Sequence, residues 1–483
     1  MKAAMKPRAL LFLAILLVPG AAHAHVGDQD IVHDGAAGPY RLLVSVRPPQ
    51  VIPGVAEVEV LSSDADVKVV KLVPLPLSGD GARFVPTADV ATRVPGTAQS
   101  YVGRLWMMSA GSWQVRVTAE GDRGSGQLSV PVPALPLRTR EMHRGLALAL
   151  FAVVLFLGLG AASIAGASVR EAQLPPGEAP DRKRRRRALL VTGATIAVVT
   201  AALYGGNKWW DAEAEGYSNY VYKPVQMKAT GDAHGMDLEL HDPGWLKSRK
   251  LDDLVPDHDH LMHLFVVRMP ALDRIYHLHP EATEPARFHG AMPELPAGHY
   301  QLFGDIVHAT GLPETAVATL DLPDEPGSPM GPDDAAGAAP PIATADRARR
   351  EVPLASGGKV VWMKDATPFK AGRVDWLRFR VDEADGQPTH ELELYMGMLG
   401  HAGILAHDAS VFAHIHPTGS VPMASLAVLQ GGDPHAGHHL DGAALPAEVR
   451  FPYSFPKPGT YRVFMQFKRR GKIETAAFDA QVE

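Results

Sequence analysis

The sequence predicts a mainly β protein, in which immunoglobulin-like β-sandwich domains are joined by a two-helix transmembrane hairpin. Three observations carry that reading. Two uncharged apolar runs of about 20 residues flank a polybasic loop. Short alternating runs separated by Pro and Gly fill the regions on either side. A set of histidine-bearing blocks occurs twice in the same order after the second apolar run.

With 483 residues the chain exceeds what one hydrophobic core usually organises. A net charge of -6 offers no basic surface for nucleic acid, so that class of partner is disfavoured. The absence of cysteine removes disulfides, thiolate ligands and cysteine nucleophiles. Any metal must therefore bind through His, Met, carboxylate or backbone groups.

Residues 1–24 have the pattern of an export signal: Lys2, Lys6 and Arg8, then an apolar run, then Ala22-His23-Ala24. Cleavage after Ala24 leaves His25 first, where its α-amine and ring can chelate one Cu(II) with His33 as a further ligand. Cleavage after Ala22 leaves His23-Ala-His25, a set suited to square-planar Cu(II) or Ni(II). An unstructured end with incidental histidines is the plain alternative. Residues 25–137 follow as short alternating strands, such as Trp113-Gln-Val-Arg-Val117, and predict a small periplasmic sandwich.

Residues 145–169 and 188–207 are the two transmembrane segments. The loop 170–187 carries Arg170 and the run Arg182-Lys-Arg-Arg-Arg-Arg187, which places it in the cytoplasm and both flanking regions outside a bacterial cytoplasmic membrane. Trp209-Trp210 fit an aromatic belt just beyond the second span.

Beyond the hairpin, residues 211–323 and 351–483 read as two copies of one β-domain, separated at 324–350 by a linker of Pro, Ala, Gly and Asp. The first copy holds His260-Leu-Met-His263, then His277-Leu-His279-Pro280, then Pro296-Ala-Gly-His-Tyr300. The second holds Met398-Leu-Gly-His401, then His414-Ile-His416-Pro417, then Pro456-Lys-Pro-Gly-Thr-Tyr461. Tyr461, Val463, Met465 and Phe467 alternate with polar residues, as a half-buried strand requires, and Phe464 interrupts the pattern.

Histidine is concentrated here, with 18 of the 22 lying after the second apolar run. Residues i and i+2 of a strand share a face, so His277 with His279, and His414 with His416, each present two imidazoles together. His260 and His263, or Met398 and His401, supply a second pair if their strand forms a hairpin with the first. Met262, Met396 and Met423 lie close in sequence, and thioethers beside imidazoles favour copper, while zinc and nickel also accept neutral imidazole. The plain alternative is a set of hydrogen-bonded strand histidines. A further run, His435-Ala-Gly-His438-His439, lies in an insertion of the second copy and fits either weak metal recruitment or a solvated loop.

Across residues 25–137, His25-Val-Gly-Asp, Gly38-Pro-Tyr-Arg-Leu-Leu-Val-Ser-Val46 and Arg47-Pro-Pro-Gln-Val-Ile-Pro-Gly54 resemble periplasmic YtkA-like and FixH-like domains, similar in outline to the CopC-type copper-binding sandwich. The C-terminal blocks look like His-rich domains of envelope proteins with a comparable His-x-His-Pro signature. The resemblance implies a copper-binding β-sandwich and carries over one ligand, His25.

The expected function is membrane-anchored capture or trafficking of a metal ion, copper first, with no catalytic turnover and with another envelope protein as a partner. Two other readings stay open: a scaffold for membrane complexes with structural histidines, and a copper enzyme using His25 as a brace.

Overall fold

The computed structural model describes residues 30–483 except 78–79, 98, 233–234, 325–326, 345, 347 and 432–444. His25, the export signal and the 435–439 histidine run lie outside the described residues. The chain is mainly β, as expected, and divides into two units: residues 30–135 with 223–483, and residues 136–222.

The smaller unit is a pair of helices, Arg144–Glu171 and Arg182–Ser218, each long and apolar enough to cross a membrane. Their apolar side chains, among them Leu148, Phe156, Ile164, Leu190 and Val198, are exposed along the helices, a surface suited to lipid rather than water. The His143 side chain accepts a hydrogen bond from the Gly145 amide, and Asp181 accepts one from Arg184. The helices come close at Gly166, where an added Cβ would run into the Thr192 hydroxyl. The second helix corrects the expected boundaries: it takes up Arg182–Arg187 of the basic loop and continues through Trp209 and Trp210.

In the larger unit, residues 30–135 form a two-layer sandwich. One sheet runs in the order Ile31–Ala37, Tyr40–Arg47, Gly54–Ser62, Ser100–Met107, Thr92–Arg93; the other runs Asp89–Val90, Val67–Pro76, Gly111–Gly121, Gly124–Ala134. Alternation places Val44, Val58, Leu72, Val115 and Val130 in one core between them.

The two C-terminal modules are built alike. In the first, strand His263–Met269 lies between Arg274–Leu278 and Gly298–Val307, which pairs with Pro313–Leu322. In the second, His401–Ala406 lies between Phe412–Ile415 and Gly459–Arg469, which pairs with Lys472–Val482. The registers match: His277 faces Phe265 across one hairpin, and His414 faces Gly403 across the other. The first module's second layer is joined through the Gln226–Val317 pair, giving one continuous nine-stranded sheet.

These His-bearing sheets are buried on both sides. Leu264, Val266, Tyr276 and Leu278 fill the first module's own core, while Phe265, Val267 and Ile275, one residue out of phase, pack against Leu405, Phe412 and Phe464 of the second module. Phe464 therefore breaks the expected alternation because its outer face is the inter-module core, not solvent. Arg462, fully buried, ties the same contact by donating to the Leu272 and Pro340 carbonyls while pairing with Asp479. Phe464→Leu is expected to lower the denaturation midpoint, at a cost of about 1 kcal/mol, in a thermal melt of the purified chain.

Two expectations are corrected here. The segment expected as a linker contributes strand Ala335–Ala338, paired to Arg274–Leu278, so it is part of the sheet. The second module is not all-β: Met423–Gln430 is a helix, with the Asp257 carboxylate accepting from Ala424 N near its start.

Candidate metal centre

Period-2 geometry decides where the histidines go. His263 shares the face of Phe265 and Val267, and His277 shares that of Ile275, so His263, His277 and His279 all point into the inter-module contact. His401, His414 and His416 reach it from the second module by the same parity, opposite Ile404 and Ile415 of that module's core. Two groups of three imidazoles result, His263 with His277 and His279, and His258 with His401 and His416; in each, the ligand nitrogens lie within 4.8 Å of one another.

The outer nitrogens fix the tautomers. His263 Nε2 donates to the Asp257 carbonyl at 2.9 Å, His277 Nδ1 to Gln466 Oε1 at 3.0 Å, and His279 Nδ1 to the Asp334 carboxylate at 3.1 Å. The remaining nitrogens carry lone pairs and converge, with His263 Nδ1 3.0 Å from His277 Nε2 and 3.2 Å from His279 Nε2. The second module repeats this. His401 Nε2 donates to the Tyr395 carbonyl at 3.2 Å, and His401 Nδ1 lies 3.1 Å from His414 Nε2, whose Nδ1 faces Asp305 at 3.5 Å. The His416 ring lies against the Val421 backbone, and neither of its nitrogens makes a hydrogen bond of good geometry.

Burial holds these rings neutral. Desolvation first, then the neighbouring imidazoles, push His263, His277, His401 and His414 well below the usual histidine value; desolvation brings His416 down to about 4 and lowers His279. Neutral rings whose lone pairs face one another repel unless a cation sits between them, and neutral imidazole is the form that binds a metal. The donor set fits a metal ion. The Asp334, Gln466 and carbonyl contacts then orient the ligands from behind.

The nine residues singled out from sequence fare differently. His263, His277, His279, His401, His414 and His416 converge. His260 does not: its ring stacks on His279 at 4.0 Å, with Nε2 3.5 Å from Asp333. Met398 is a correction, buried in the apolar cluster shared with the N-terminal sandwich rather than facing the imidazoles. Met262 and Met423 are likewise packed into apolar clusters. His33, expected beside His25, is a buried strand residue that pairs with Gly419.

Sequence reasoning missed His258, Tyr395, Asp305, Asp334 and Gln466. His258 sits in a two-residue turn with φ +49° and Asp259 at +70°, closed by Asp257 and His260 exchanging both backbone hydrogen bonds at 2.8 and 3.0 Å. Met396 and Gly397 make the same turn in the second module. The readable signal was the alternate spacing of His258 and His260. Tyr395, whose phenol burial pushes up, donates to the Asp333 carbonyl at 2.8 Å beside His277. Asp334→Asn is expected to weaken metal binding about 10–100-fold, read by competition with a chromophoric chelator, because the His279 ring loses its charged orienting partner.

Fold and site together define a mainly β protein with, among the described residues, two apolar helices and paired buried histidine groups able to hold metal. Residues 354–483 match a family model described as a domain of unknown function, DUF8832. No curated protein matches the chain. Among solved structures, the FN1–FN3 domains of chicken CNTN1 align over 91% of this chain and 97% of that one, at 8% identity and a TM-score of 0.13. A mutant Salmonella alpha-2-macroglobulin aligns over 92% of this chain and 24% of its own, at 10% identity and a TM-score of 0.20.

Proposed function

We propose that the chain is a membrane-anchored metal-binding protein that captures or passes on ions, copper first, on the outer face of a bacterial cytoplasmic membrane. The observation that carries this reading is the convergence of His263 Nδ1, His277 Nε2 and His279 Nε2, whose protons are directed outward to Asp257, Gln466 and Asp334. The preference for copper rests on a different ground from the sequence argument. Met262, Met398 and Met423 lie in apolar clusters, so the donors are imidazoles, and at such sites Cu(II) outranks zinc and nickel in affinity. The polybasic run 182–187 supports a cytoplasmic loop and hence an external position for both β regions. Binding and release without turnover is the activity proposed.

The test is a titration of the full chain in detergent, stripped of metal, with Cu(II). Dissociation constants below micromolar are expected, and affinity no tighter than micromolar would remove the proposal. Replacing His277, His279, His414 and His416 by Asn separates this reading from a scaffold with structural histidines: a scaffold keeps its protein partners and has no ion to lose.

A further inference from the structure

Resting on the metal-binding reading, we infer that the two histidine groups hold two neighbouring ions, and that the second ion is held jointly by both modules. The first group, His263, His277 and His279, belongs wholly to the first module. The second takes His401 and His416 from the second module and His258 from the first. No residue is shared between them, and each encloses its own set of facing nitrogens.

One ion cannot serve both sets. His263 Nδ1 already stands 3.0 and 3.2 Å from its two neighbours, and the ligand nitrogens of His258, His401 and His416 lie within 4.8 Å of one another. An ion at about 2.0 to 2.1 Å from imidazole nitrogen fits among the members of one set and leaves the other uncompensated. The two sets are adjacent nonetheless. Ring centroids of His258 and His263 lie 6.0 Å apart and those of His277 and His401 6.2 Å, while His414, a member of neither set, has its ring 5.2 Å from that of His263 and 5.4 Å from that of His401. Two Cu(II) ions placed there are close enough for their unpaired electrons to couple.

The joint site arises from one departure from symmetry. His258 occupies the left-handed turn position that Met396 takes in the second module, and its ring lies 5.0 Å from His401 and 5.1 Å from His416. A non-glycine residue at positive φ is uncommon and carries strain, and here that conformation delivers an imidazole across the module boundary. Asp257, the preceding residue, is anchored by accepting from Ala424 N at 2.7 Å, which holds the turn against the second module. Loading of the second ion therefore clamps the modules together.

The experiment counts ions lost, so that copper on other histidines of the chain does not enter. The full chain in detergent is stripped, loaded with Cu(II) alone, desalted and assayed for copper per chain, alongside His258→Ala, His279→Ala and the double variant. The expected losses are one, one and two ions, with a spin-coupled signal in the wild type replaced by an isolated Cu(II) spectrum in each single variant. His258→Asn, with an unchanged melting temperature after stripping, controls for misfolding. If the double variant loses no more than either single one, or if the wild-type spectrum shows only isolated ions, the paired centre is wrong while metal binding stands. If the wild type retains no copper after desalting, the metal-binding reading itself fails.

Discussion

Replacing His263 and His401 together by Ala is expected to weaken metal binding more than about 100-fold. Each belongs to one of the two groups: His263 Nδ1 faces both His277 and His279, and the His401 ring lies 5.0 Å from those of His258 and His416. Each occupies the same register position in its module, opposite Asp305 in one case and Gln466 in the other. Removing an orienting partner such as Asp334 tilts one ring, whereas removing these two takes a donor from each group. Competition against a chelator of known affinity measures the change. An unaltered dissociation constant, with the melting temperature preserved, would show that these two imidazoles do not hold the ion.

Acidification of the metal-free chain is expected to lower its melting temperature steeply between pH 6.5 and about 4. The sign follows from the direction of the shifts. A histidine whose folded value is depressed binds fewer protons folded than unfolded, so its stabilisation is complete above the unfolded value and lost as pH falls toward the folded one. For His416, brought to about 4, the loss is about 3 kcal/mol. His263, His277, His279, His401 and His414 shift in the same direction.

Two groups oppose them. Burial raises Asp305 to about 7, and the Glu314 and Asp253 carboxylates raise His308 against its desolvation, so both favour the folded state more as the pH falls. Six depressed imidazoles outnumber these two. A bound ion adds to the dependence, because protons and metal compete for the same lone pairs. Melting curves of the stripped chain at pH 7.5 and pH 5 decide the matter, and a midpoint that holds or rises at pH 5 would contradict it.

Much of this was legible in the amino-acid order because it depends on local rules. Charge-free runs of membrane length predict apolar helices whatever surrounds them, and the i, i+2 spacing of His277 with His279, and of His414 with His416, fixes a shared face from strand geometry alone. The duplicated blocks likewise announced two equivalent modules. Met398 shows the limit: at the same place in its block as His260, it meets an apolar cluster of the N-terminal sandwich, whose residues lie far earlier in the chain, at Ala134 and before.

The sequence by itself therefore determined the mainly β class, the two apolar helices, the duplication and the pairing of imidazoles on a strand face. Only the tertiary structure decided that the two faces press against each other, that Phe464 belongs to the contact between modules, and that His258 crosses into its neighbour's group. The physical reason is range. Periodicity and composition act within a strand or helix, whereas the packing of one sheet on another depends on side chains brought together only after each module has folded.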